Sequence, residues 1–283
     1  MRKALLFISF FVAAAAFAQT QAPSVKYPRV SQKSSLMQSI GTTDMTITYS
    51  RPGVKGRKIW GALVPYGAVW RTGANEATTI VFSDDVSING QKLAAGTYSL
   101  HTLPGEKEWT LIFNSVSNQW GSYSYDAAKD VLRVKATPTA ASFVEWMSFD
   151  IPMLSTDQAT VALRWENIAV PFTVNSNTTQ KVLAAATAAV AAAKADDWQT
   201  ANRAANFAFD NNMITEAAQW ADASLKAGES MGNLWLKARI LAKQGKKADA
   251  IVMGEKALAK KTDKDNADFA AEIRKTIDEW KKM

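Results

Sequence analysis

Between Arg51 and Thr78 the chain reads RPGVKGRKIWGALVPYGAVWRTGANEAT, a block with more chemistry than packing alone needs. Five cations, Arg51, Lys55, Arg57, Lys58 and Arg71, stand among Trp60, Tyr66 and Trp70, with no acid between Arg51 and Arg71. Guanidinium groups offer planar, forked donors to anions, and indole faces offer a stacking platform. Arg51, Lys55, Arg57, Trp60, Trp70, Arg71, Asn75, Glu76 and His101 are therefore the candidate ligand-binding residues, for a glycan or an anionic small molecule. A structural reading stands beside this one. Arginine stems cover aromatic faces, Pro52, Gly53, Gly56 and Gly61 shape a long loop, and Trp60 and Trp70 plug the ends of a β-sandwich. If the block serves an enzyme, Glu76 is its most attractive acid, with Glu145 and Asp150 as competitors, and His101 is a lone general base. Strand alternation puts His101 on one face with Ser99 and Leu103, where a single histidine is usually a surface or edge residue.

Other motifs fail on their own chemistry. Gly228-Glu229-Ser230-Met231-Gly232 fits the G-x-S-x-G spacing of serine hydrolases, but it lies between Ala-rich helical stretches and the one histidine precedes it. A helix-ending Gly228 followed by a loop into the next helix explains it instead. Gly56 and Gly61 have the spacing of a phosphate-binding loop, yet Ala62 and Leu63 stand where Lys and Ser or Thr are required. Asp263, Asp265 and Asp268 suggest a calcium loop, but Ala267 and Arg274 fall on ligand positions, so these acids are expected at the start of a helix. With one histidine and no cysteine, neither a zinc nor a copper site of ordinary composition can be assembled. No cofactor is expected.

The N-terminus starts with Arg2-Lys3, runs apolar from Ala4 to Phe17 and reaches Ala16-Phe17-Ala18, the layout of a secretory signal peptide cleaved after Ala18. That run is too short for a membrane span, and the Ala-rich stretch from Val182 to Ala193 is expected as a packed helix. The mature protein is expected in the periplasm or outside the cell, without a membrane span and without disulfides. Losing Arg2 and Lys3 leaves 31 basic against 26 acidic residues, a formal charge of +5. So diffuse a positive charge does not mark a nucleic-acid binder.

Two periodicities divide the rest. Met45 to Tyr49 alternates apolar and polar, and the same alphabet recurs at 78–82, 98–103, 109–113, 131–135, 143–149, 160–165 and 169–174. Val86-Ser87-Ile88, Asn89-Gly90 and Gln91-Lys92-Leu93 read as a hairpin closed by a tight turn. Nine or ten strands without an intervening helical pattern predict an antiparallel β-sandwich over 34–175, after a flexible segment at 19–33. From Thr178 or Thr179, expected as a helix N-cap, helical spacing takes over to the end of the chain. Ala205 and Ala238, Asn212 and Gly245, Ala217 and Ala250, and Leu225 and Leu258 repeat at a 33-residue offset. Small residues at helix crossings and a turn residue between them predict a tetratricopeptide-like bundle of five or six helices over 178–283. The overall class is therefore α+β in two segments.

Three blocks in order, SRPGVKGRKIWGALVPYGAVWRTGANEAT, LAAGTYSLHTLPGEKEWTLIFN and QWGSYSYDAAKDVLRV, span the β-rich half. In them the chain resembles the bacterial secreted family called domain of unknown function 2911, over about residues 34 to 174. The resemblance implies a signal-bearing, β-rich exported domain and no assigned activity, so it supplies no functional residues. The resulting expectation is a non-enzymatic binding or scaffolding module whose helical part offers a concave surface to a protein or peptide partner. The alternative is an enzyme acting on a glycan or an anionic small molecule at the cationic and aromatic loop.

Overall fold

The computed structural model describes residues 27–262 and 266–282. The expected leader and two of the three acids near the last helix, Asp263 and Asp265, lie outside the described residues. Two antiparallel sheets come first and six helices follow.

The first sheet has the order β1 (Gln32–Ile40), β2 (Thr43–Arg51), β3 (Thr79–Phe82), β6 (Gly96–Leu103), β7 (Trp109–Asn114), β8 (Asp130–Ala136). The second has the order β5 (Gln91–Leu93), β4 (Val86–Ile88), β10 (Gln158–Asn175), β9 (Thr139–Leu154). Alternation decides which side chains meet between the sheets. Met45, Ile47 and Tyr49 of β2, Ile80 and Phe82 of β3, Leu100 of β6 and Leu111 and Phe113 of β7 face Phe149, Val161, Leu163, Trp165 and Phe172. The predicted hairpin is present, with Asn89 and Gly90 at φ of 46° and 84°, the left-handed pair that the right-handed twist of two strands requires.

Two expected strands, 160–165 and 169–174, are one 18-residue strand, β10. Glu166 and Asn167 look like a turn in the sequence, but Glu166 takes a φ of 55° within a series of register shifts, so the strand bends and continues. Strand β9 likewise outruns its expected 143–149 and tolerates Pro152, because β9 is the edge of its sheet.

Helix α1 (Thr178–Ala192) starts at the predicted place, with a different cap. Asn177 holds the N-cap position without a side-chain bond, and the Thr178 hydroxyl turns away to the Ile40 carbonyl and to Ser176. The cap comes instead from the β9–β10 connection, where the Asp157 carboxylate accepts from the Thr179 amide and hydroxyl, both at 2.6 Å. This ties the helical segment to the sandwich end. Among the described residues no helix is long and apolar enough to cross a membrane.

Helices α2 (Trp198–Asp210), α3 (Ile214–Ala227), α4 (Met231–Lys243) and α5 (Lys247–Ala259) follow through short turns, and α6 (Ala267–Lys282) closes the series. The 33-residue offset has a structural meaning. Ala205 and Ala238 sit in α2 and α4, and Ala217 and Ala250 in α3 and α5, all four with no exposure. Asn212 and Gly245 fill the two intervening turns with φ of 60° and 79°. Only small side chains let the paired backbones approach that closely.

Candidate functional site

The nine expected residues go to different places. Trp60 is buried against Trp70, Trp109 and Trp165, with ring centroids 6.0, 5.0 and 5.7 Å away, and Trp70 stacks on Trp165 at 5.9 Å. Four indoles, two from the loop between β2 and β3 and one each from β7 and β10, thus pack together in the sandwich core. Arg57 folds back on its own loop, donating to the Gly53 and Val54 carbonyls at 2.6 and 3.1 Å. Arg51 lies along β9, donating from Nε to the Met147 carbonyl at 2.8 Å. It lines a cleft of about 240 Å³ with Val30, Gln32 and Trp146. The Lys55 ammonium lies 5.8 Å from the centroid of the same half-exposed Trp146. That tryptophan was missing from the expected set, because a lone indole in a strand pattern reads as core.

Glu76 is elsewhere. Arg29 grips its carboxylate through both oxygens, at 2.6 and 2.7 Å, and these bonds hold it below the ordinary carboxylate range. It lines a polar cleft of about 280 Å³ with Lys33, Ser50 and Gln119 on the outer face of the first sheet. Asn75 donates to the Ser31 carbonyl, which pins the same N-terminal strap. Arg51 and Glu76 therefore line different clefts.

His101, expected near the surface, is fully buried. The loop after β7 brings Gly121 and Tyr125 over it, with the Tyr125 ring 5.2 Å from the imidazole. Tyr125 donates to Asp130 at 2.6 Å, Arg133 bonds both, and Asn114 holds the other Asp130 oxygen. The Gly121 backbone approaches the imidazole without hydrogen-bond geometry, and among the described residues neither ring nitrogen has a hydrogen-bond partner, nor does the buried Nε of Arg71. Burial pushes the His101 pKa below its ordinary 6.5, against smaller opposing effects of Gly121 and Asp130. Stability from a neutral buried imidazole is present above that ordinary value and is lost as pH falls through it toward the lower folded-state value. His101→Gln should accordingly show a shallower fall in thermal midpoint than the parent between about pH 7 and about pH 5. Parallel curves for the two proteins would assign the acid response to other groups.

Ser230 is a helix cap. Its hydroxyl accepts from the Asn233 amide at 3.3 Å while the Asn233 side chain accepts from the Ser230 amide at 2.8 Å, a reciprocal box at the start of α4. Among the described residues no three His, Asp or Glu side chains cluster as a metal site.

A larger recess lies on the helical segment. Alternate helices α2, α4 and α6 form a groove of about 690 Å³, lined by Asn202, Asn206 and Phe209, by Trp235, Arg239 and Lys243, and by Phe269, Glu272, Thr276 and Trp280. Trp235 and Trp280 stack with centroids 5.4 Å apart. The Arg239 guanidinium lies 4.7 Å over Phe209 and donates from Nη2 to Asn206 Oδ1 at 3.2 Å.

Family comparison adds to this geometry. The model of the family described as protein of unknown function, DUF2911, matches residues 31–174, which hold all ten strands. The chain belongs to this DUF2911 family. The match ends at the last residues of β10, so the six helices lie beyond it. No curated protein and no solved structure matches the chain.

Proposed function

We propose that this DUF2911 protein is an exported, non-enzymatic binding or scaffolding module whose helical segment captures an extended segment of a partner protein. The observation that carries this reading is the groove across α2, α4 and α6, with stacked indoles, two asparagine amides and a guanidinium along one open wall. The 33-residue offset supports a tetratricopeptide-like arrangement, in which successive hairpins stack and leave one concave surface. Export is supported by Arg2-Lys3, the apolar run and Ala16-Phe17-Ala18. The enzymatic alternative in the β segment has weaker support, because Arg51 and Glu76 line separate clefts and His101 is buried.

A mixed pool of synthetic ten-residue peptides tests this reading by hydrogen exchange on the full chain. Added protection should concentrate on α2, α4 and α6, and the thermal midpoint should rise with peptide concentration, as mass action requires. Protection confined to the sandwich, or none anywhere, would refute the groove.

A further inference from the structure

We propose that the helical groove recognises a carboxylate of an acidic peptide at Arg239, with a neighbouring apolar side chain of the peptide laid against the Trp235–Trp280 pair. This deepens, and rests on, the reading of the groove as a peptide site.

Arg239 is part-buried, yet among the described residues it forms no ion pair; Asp210 and Glu272 are near enough to favour its charge without contacting it. Three other arginines are ion-paired, and Arg51 and Arg57 donate to backbone carbonyls. Arg133 pairs with Asp130 at 2.8 Å, Arg164 with Asp150 at 3.1 Å, and Arg29 with Glu76 at 2.6 Å. Arg239 has one amide bond at 3.2 Å and an aromatic ring beneath it, and its Nε is buried without a partner. Burial weakens its hold on the proton, against the smaller opposing effects of Asp210 and Glu272. Removing a guanidinium from water is costly unless a partner completes its hydrogen bonds, and a charge-assisted bond to a carboxylate does so with matching planar geometry. Phe209 lies beneath the guanidinium and Asn206 fixes Nη2, leaving Nη1 without a hydrogen bond among the described residues. A ligand would therefore meet a preorganised donor, with little side-chain entropy left to lose.

The surroundings narrow the ligand class. Lys243 stands one turn further along α4, so a second acid can be met on the same wall. The Asn206 amide is taken up by Arg239 and by Asn202, one turn earlier, whereas the Asn202 side-chain NH2 forms no hydrogen bond among the described residues and suits a peptide carbonyl. Glu272 of α6 lines the same groove and would repel a ligand charged at every unit. A nucleic acid is such a ligand, whereas a peptide that mixes carboxylates with neutral amides and apolar side chains is not.

Fluorescence anisotropy on the full chain can decide this with two labelled peptide pools of equal length and identical apolar positions. In one pool the remaining positions are Asp and Glu, in the other Asn and Gln. The acidic pool should bind about tenfold or more tightly, with hydrogen-exchange protection on α2, α4 and α6. Arg239→Gln should remove that preference while helical circular dichroism is retained, and Arg239→Lys should keep part of it. Equal affinity for the two pools would overturn the carboxylate claim and leave the peptide groove standing. Binding of neither pool, or protection away from the groove, would overturn both. Should Arg239→Gln unfold, the comparison of pools on the parent protein still decides the matter, since it needs no variant.

Discussion

Trp165→Ala should destabilise the sandwich by about 3–5 kcal/mol, the range for emptying a large aromatic site in a close-packed core. Trp165 is 1 % exposed and lies within 6 Å of Trp60 and Trp70, centroid to centroid. Its Nε1 donates to the Glu145 carbonyl at 3.3 Å. Truncation would leave Trp70 without its stacking partner and Trp60 without one of its edge contacts. The cavity could not close readily, because Trp60 and Trp70 are held by bridges to Val64 and Thr102 and Trp109 by its place in β7. Urea denaturation followed by near-ultraviolet circular dichroism measures the loss. Trp146→Ala, at a site 42 % exposed, provides the control and should cost no more than about 1 kcal/mol. Similar midpoints for the two variants would mean that the four-indole cluster contributes no more to stability than a surface indole does.

Gly41→Ala should cost on the order of 2–4 kcal/mol, from a strained backbone and from overpacking together. Gly41 joins β1 to β2 with a φ of +59°, and a Cβ there would overlap the Thr178 hydroxyl and the Thr156 carbonyl. The carbonyl is backbone and cannot rotate aside. Thr178 is no freer, since its hydroxyl is engaged by Ile40, Thr42 and Ser176 at the foot of α1. Gly56 isolates the two contributions. Its φ of +67° is equally unfavourable for alanine, but nothing lies within 4 Å of the added atom. Gly56→Ala should therefore cost only about 1–2 kcal/mol. Denaturation midpoints give the comparison, and hydrogen exchange at the Thr179 amide, which Asp157 holds at 2.6 Å, reports whether α1 has come away. Equal losses for the two glycine variants would show that the junction between sandwich and helices has slack to absorb a methyl group.

Much of the architecture was readable from short-range pattern. Alternation at Met45 to Tyr49 located a strand and its buried face, Asn89-Gly90 located a hairpin, and the paired alanines located two helical hairpins. These readings succeed because side-chain period and turn chemistry are local properties of the backbone. The long strand β10 was harder, since a bulge at Glu166 and a true turn use the same polar residues. The α1 cap was missed because its acceptor, Asp157, lies 22 positions from Thr179.

The candidate site was less legible than the fold. The block at 51–78 announced its residue types correctly, but an arginine's task depends on what lies across from it. Backbone carbonyls occupy Arg51 and Arg57, and Arg29 occupies Glu76. Arg239 attracted no notice in a lysine-rich, alanine-rich stretch. Its interest comes from Phe209 and Asn206 of α2 and Trp280 of α6, which helix stacking brings to one groove with it.

By itself, then, the sequence determines the two-part composition, the strand and helix periods, the want of thiol and imidazole metal ligands, and the resemblance that family membership bears out. The folded chain was needed to bury His101 under a loop that joins β7 to β8, to gather Trp60, Trp70, Trp109 and Trp165, and to leave Arg239 part-buried without an ion pair among the described residues. The difference is physical. Periodicity is set by each residue's neighbours in the chain, whereas burial and pairing are set by which distant segments sheet order and helix stacking bring together.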